Sequence, residues 1–153
     1  MSLTVSESKG FELIEEDTYT AICYGVVDLG IHHDKTFKKD QNKVLFMWEL
    51  PDVTYEGKDG KEARKVLSKQ YTLSLHERSS MRQDLESWRG RAFSTDELAG
   101  FNVSKLLGVP CLLQVVHDEY NGKKYAKVGA IMRLPKGMAV PSLENEQILY
   151  DFD

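Results

Sequence analysis

The chain has 153 residues, of which 41% are hydrophobic and 29% charged, and it carries a formal net charge of −4. Such a length holds one domain with a real core rather than two domains and a linker. Its apolar runs, the longest at 44–48, fall far short of the roughly 20 residues needed for a membrane-spanning helix. The start has no basic-then-apolar leader, so a cytoplasmic protein is expected. Cys23 and Cys111, the only cysteines, sit in apolar strand-like runs that suit two buried thiols better than a disulfide or a metal pair. Charge is unevenly spread: residues 35–91 hold 13 Lys and Arg against 9 Asp and Glu, whereas residues 1–34 hold 1 against 7.

In chain order, residues 19–29 alternate and are rich in β-branched and aromatic side chains, which predicts a first strand with a bulge or bend at Gly25. Residues 30–42 are polar and irregular and read as a long loop. A second strand follows at 43–50 and is expected to end at Pro51. Asp59-Gly60 suits a hairpin turn into a third strand at 64–75, antiparallel to the second. The period then changes. Met81, Leu85 and Trp88 form one apolar helical stripe starting near Ser79 or Ser80 and stopping at Gly90. Ser94-Thr95-Asp96-Glu97 fits a capping box, and the helical piece it opens carries Phe101, Val103, Leu106 and Leu107 toward Gly108. A fourth strand at 111–117, an Asn121-Gly122 hairpin and a fifth strand at 124–134 complete a domain covering 1–137. An acidic tail, 138–153, remains.

Three strands, a helical insert and two further strands (β-β-β-α-β-β) is the order of the OB-fold, a five-stranded Greek-key barrel that binds oligonucleotides or oligosaccharides. A β-sandwich with a helical excursion is the structural rival. Four strings carry a family resemblance: Lys43-Val44-Leu45-Phe46-Met47-Trp48-Glu49-Leu50-Pro51; Ser68-Lys69-Gln70-Tyr71-Thr72-Leu73-Ser74-Leu75-His76; Leu85-Glu86-Ser87-Trp88-Arg89-Gly90-Arg91-Ala92-Phe93; and Lys105-Leu106-Leu107-Gly108-Val109-Pro110-Cys111. Over residues 11–137 the chain resembles small phage and prophage proteins of Gram-positive bacteria, encoded in replication or recombination modules and regarded as single-stranded DNA-binding. The resemblance implies an OB-fold and protection of a strand during DNA synthesis or annealing. It does not say which side chains touch DNA.

Cations interleaved with aromatic rings are what a surface needs to hold an unpaired strand without reading its sequence. On strand three, Lys65, Lys69 and Tyr71 share a face, and Lys69 with Tyr71 makes a stacking-plus-phosphate pair; Tyr71 serves equally as a core residue. On strand two, Glu49 should be wet, which sends Phe46 and Trp48 inward. Around the helix end, Arg78, Arg82, Arg89 and Arg91 either complement the helix dipole or form a basic strip, while Trp88 and Gly90 read as stripe and C-cap. Tyr120, Lys123, Lys124 and Tyr125 make the hairpin between strands four and five a contact loop, or simply a soluble hairpin. Lys43, with Lys35, Lys38 and Lys39, belongs to the opposite loop, where solvated charge is the bland alternative.

Catalytic patterns are weak. His32-His33-Asp34 offers neighbouring ligands without a ligand-like spacing, there is no phosphate-binding Gly-rich loop or nucleophile elbow, and neither cysteine has an evident base. The expectation is a non-enzymatic protein needing no cofactor or metal. Residues 144–153, Glu-Asn-Glu-Gln-Ile-Leu-Tyr-Asp-Phe-Asp, loosely resemble the acidic, aromatic-ended tails by which single-stranded DNA-binding proteins recruit replication or recombination partners. An ordered tail would instead pack on its own domain or on another subunit of a homo-oligomer. The alternative function is a protein-interaction module of a phage replication complex that binds no nucleic acid.

Overall fold

The computed structural model describes residues 13–34 and 39–150. The chain is mainly β: β1 (Asp17–Asp34), β2 (Lys39–Glu56), β3 (Glu62–Thr72), α1 (Ser80–Arg89), α2 (Thr95–Ala99), a 3-10 turn (Val103–Leu106), β4 (Pro110–Tyr120), β5 (Lys123–Met132) and β6 (Ile148–Tyr150). The first five strands form an antiparallel sheet in the order β3-β2-β1-β4-β5, and β6 pairs parallel with β1.

The sheet turns about β1. Residues 17–22 of that strand pair with β4, and residues 22–34 pair with β2. The register shifts between Cys23 and Gly25, the expected bend, and again between Asp28 and Gly30. A Cβ at Gly25 would lie 2.8 Å from Met47 Sδ and 3.1 Å from Met47 Cβ, so any larger residue at this crossing of β1 and β2 requires Met47 to move. Beyond the bend, β6 takes the flank that β4 has left, at residues 25–27.

Side chains from all five long strands and α1 meet in one core. Phe46 lies 6.0 Å from Trp48 and from Trp88, and 5.7 Å from Tyr71 edge-on. Such aromatic pairs contribute roughly 0.5–1.5 kcal/mol each beyond the area they bury. The stripe Met81, Leu85 and Trp88 is buried against this cluster, as its spacing requires. The ends of α1 are fixed locally: Ser79 Oγ accepts the Arg82 N–H at 3.1 Å, and Gly90, at φ 75°, supplies the left-handed C-cap. Trp88 Nε1 donates to the Pro110 carbonyl at 3.0 Å, tying α1 to the start of β4. Cys23 and Cys111 are free and buried, and burial pushes the Cys23 thiol up to about 12, which makes it inert.

Four expectations need correction. The polar stretch 30–42 is not a long loop: residues 30–34 pair with residues 39–43, extending the β1–β2 hairpin. Polar residues are no bar to a strand, because the ladder is made by main-chain N–H and C=O groups whatever the side chains. Second, β2 does not end at Pro51 but runs to Glu56; Pro51 falls where the β2–β3 ladder skips from Leu50 to Thr54, so its missing N–H costs no bond. Third, the piece after Ser94 breaks into α2 and a separate 3-10 turn, because Asn102 Oδ1 accepts the Ser104 N–H and starts a new turn.

The fourth concerns Glu49. It is fully buried rather than wet, although Phe46 and Trp48 do point inward. Residues 142–145 pass over it. Its carboxylate accepts Arg64 Nη1 at 2.9 Å, the Glu144 N–H at 3.1 Å and the Asn145 N–H at 3.0 Å. Arg64 also donates to the Ser142 carbonyl at 2.7 Å and lies 3.2 Å from the Glu144 carboxylate. The segment after residue 137 is therefore strapped to the domain by a buried ion pair before it delivers β6 to β1.

Candidate nucleic-acid interface

On β3 the face shared by Lys65, Lys69 and Tyr71 is the inner one. Lys65, Leu67 and Lys69 are half-buried and Tyr71 is 2% exposed, while Val66, Ser68 and Gln70 face solvent. The Tyr71 hydroxyl donates to Asp84 of α1, and Lys69 Nζ sits 2.8 Å from the same carboxylate and 5.0 Å from the Tyr71 ring centre. Burial, then the bond to Asp84, raises the Tyr71 pKa above its ordinary value. Lys69 and Tyr71 thus join β3 to α1. No face of the Tyr71 ring is open to a base, so the stacking role expected for it has no access.

The arginines of α1 divide. Arg82 Nη1 donates to the Leu75 carbonyl at 3.2 Å and its Nε lies 3.4 Å from Glu86. Arg89 donates to Glu97 and lies 4.3 Å above the Phe93 ring and 5.2 Å from that of Phe101; its side chain is only 8% exposed. The bond from Arg89 is the main reason the Glu97 carboxyl is lowered to about 2. Arg91, by contrast, has a 71% exposed side chain at 4.0 Å from Glu97. Lys43 is half-buried and donates to Thr72 Oγ1 across the ladder at 2.9 Å. Lys35 and Lys38 lie outside the described residues.

The β4–β5 hairpin is different. Asn121 at φ 52° and Gly122 at φ 78° form a tight turn whose two central residues are both left-handed, the twist that antiparallel strands favour. Tyr120 pairs with Lys123, and Asp118 with Tyr125. Opposed residues share a face, and alternate residues along a strand return to it. Tyr120, Lys123, Tyr125 and Lys127 therefore lie on one face, with Lys124 on the other. Tyr120 is 72% and Tyr125 42% exposed, and all three lysines are exposed. The acid on this face, Asp118, is held by Lys127 Nζ at 2.7 Å, whose bond lowers its pKa. Lys123 and Lys124 form no ion pair among the described residues.

The surface left after the internal pairs are taken out is a two-stranded ribbon with two exposed tyrosines and two lysines without an ion pair among the described residues, plus Arg91 on another part of the domain. Lys127 is absent from the expected set, yet the two-residue period from Lys123 and Tyr125 leads directly to it. Among the described residues no group of three or more His, Cys, Asp or Glu converges on a possible metal position, and no helix is long and apolar enough to cross a membrane. The chain matches no protein-family model and no curated protein.

Proposed function

We propose that this protein binds single-stranded DNA, largely without sequence preference, through the exposed tyrosine and lysine face of the β4–β5 hairpin. The observation that carries the reading is the pairing of open Tyr120 and Tyr125 rings with Lys123, whose charge no described acid neutralises. Bases stack on tyrosine faces whatever their identity, and phosphates seek the lysines. We read the domain as an OB-fold: the strand order β3-β2-β1-β4-β5, the coiled β1 and the approach of β3 to β5 within 8 Å between some Cα atoms support a barrel that closes between those strands. The hairpin is then the β4–β5 contact loop of that fold. A cytoplasmic role in a phage or prophage replication or recombination module goes with the sequence resemblance.

The test is fluorescence anisotropy with labelled oligo-dT and a duplex of equal length over a salt series. The reading expects preference for the single strand and falling affinity as salt rises, because bound counterions are released. Micromolar protein that leaves oligo-dT anisotropy unchanged at low salt would sink it. One observation favours the competing reading, a protein-interaction module without nucleic acid: Lys69 and Tyr71, on a strand an OB-fold uses for its ligand, turn inward and are bound to Asp84. In that case the hairpin lysines contribute nothing to any oligonucleotide affinity.

A further inference from the structure

A second, separate cationic feature lies between the end of α1 and the segment that follows β5. There a cavity of about 380 Å³ is walled by Trp88, Pro110 and Met138, among other apolar residues, and its charged lining residues are Arg89, Arg133 and Lys136, with no acid. Pockets of this size take small organic molecules rather than isolated ions.

The three cations differ in how they are held. Arg89 is more than nine-tenths buried; Glu97 takes its Nη2, and its Nη1 is buried with no hydrogen-bond partner among the described residues. A buried donor left unmade is costly, and a charged one more so. Arg133 lies across the bare backbone of Gly90: a Cβ there would sit 2.8 Å from Arg133 Cδ and 3.1 Å from its Nε. Lys136 stands in a tight turn closed by the Met138 N–H on the Pro135 carbonyl at 3.3 Å, with Gly137 at φ 89°. Arg133 and Lys136 form no ion pair among the described residues.

We propose that this cavity binds the phosphate of a nucleotide, with Arg133 and Lys136 as its ligands, Arg89 adding positive charge from behind the wall, and the apolar residues against sugar and base. Guanidinium groups meet phosphate oxygens by paired, charge-assisted hydrogen bonds, and Lys136 adds a point charge. The phosphate belongs either to a free mononucleotide or to the end of a strand. The inference is independent of the hairpin reading.

Isothermal titration of the full chain with dTMP and with thymidine tests it, with 5′-phosphorylated and 5′-hydroxyl oligo-dT as further arms. The expectation is that dTMP binds at least about tenfold more tightly than thymidine, as loss of a charge-assisted phosphate contact requires. Arg133→Ala with Lys136→Ala should abolish that advantage, and Lys136→Glu, at an exposed position that leaves Arg133 on Gly90, should reduce it as well. Lys123→Ala with Lys124→Ala should leave it unchanged. A gain for the 5′-phosphorylated strand assigns the ligand to strand ends; dTMP binding without such a gain assigns it to free nucleotide. Equal binding of dTMP and thymidine, or full dTMP affinity in folded Arg133 and Lys136 variants, overturns the proposal. A chain that binds dTMP but not oligo-dT keeps it while removing the hairpin reading, and the opposite result does the reverse.

Discussion

Arg64→Ala removes the only side-chain cation that the described residues place on the fully buried Glu49 carboxylate, and two further contacts to the strap, at Ser142 and Glu144. Deleting one partner of a buried pair strands the other charge, which costs about 3–5 kcal/mol. Here the N–H groups of Glu144 and Asn145 still bond Glu49, and Arg64 is itself 17% exposed at the side chain, so the lower end, about 3 kcal/mol, is expected. For a domain of this size each kcal/mol shifts Tm by about 2–4 °C, giving a fall of about 6–12 °C. Thermal unfolding followed by circular dichroism measures it. Glu49→Gln, which keeps the shape and an acceptor for the two N–H groups, should cost less than Arg64→Ala, and adding it to Arg64→Ala should recover part of the loss. Hydrogen exchange at residues 148–150 should accelerate in Arg64→Ala ahead of the core strands. A Tm within about 2 °C of wild type for Arg64→Ala would refute the strap as a stabilising contact.

Tyr71→Phe removes only the hydroxyl on Asp84 and should cost about 1–2 kcal/mol in urea unfolding while leaving oligo-dT affinity as it was; a selective loss of DNA binding would return Tyr71 to the interface. Gly122→Ala puts a side chain on a residue at φ 78° with no atom within 4 Å of the new Cβ, so backbone strain of about 1 kcal/mol is the whole effect, and an unchanged urea midpoint would argue against the left-handed turn. Glu97, lowered from 4.5 to about 2 mainly by Arg89, adds stability that is present above its unfolded value and lost as pH falls from about 4.5 through about 2. NMR titration of its carboxyl should show that low midpoint, and Arg89→Met should bring it back toward 4.5; a midpoint near 4.5 in the wild-type chain contradicts the pairing.

What could be read from the sequence was local. Ser79 and Gly90 bound α1, Met81, Leu85 and Trp88 face its core, and Asn121-Gly122 turns the last hairpin, because each depends on neighbours within a few residues. The bend at Gly25 was visible as a lone glycine in a strand pattern, although its cause, contact with Met47, lies across the ladder. Glu49 defeated the same reasoning, because residues 142–145 cover it from nearly a hundred positions downstream. Alternation shows which residues share a face, not which face is covered. It grouped Lys65, Lys69 and Tyr71 rightly, but only the arrival of α1 with Asp84 shows that face to be the inner one. Arg133 and Lys136 carried no signal at all, since the wall they share with Arg89 exists only once α1 packs beside the end of β5.

The central claim, that the hairpin face holds a single strand, is tested most directly by oligo-dT anisotropy across a salt series for the wild-type chain and for Lys123→Ala with Lys124→Ala. Each phosphate contact on a single strand contributes about 0.7 to the slope of log affinity against log salt. The account predicts a weaker variant whose slope is shallower by about 0.7, for Lys123, the lysine of the pair that lies on the tyrosine face. A variant that binds oligo-dT with wild-type affinity and an unchanged slope contradicts it.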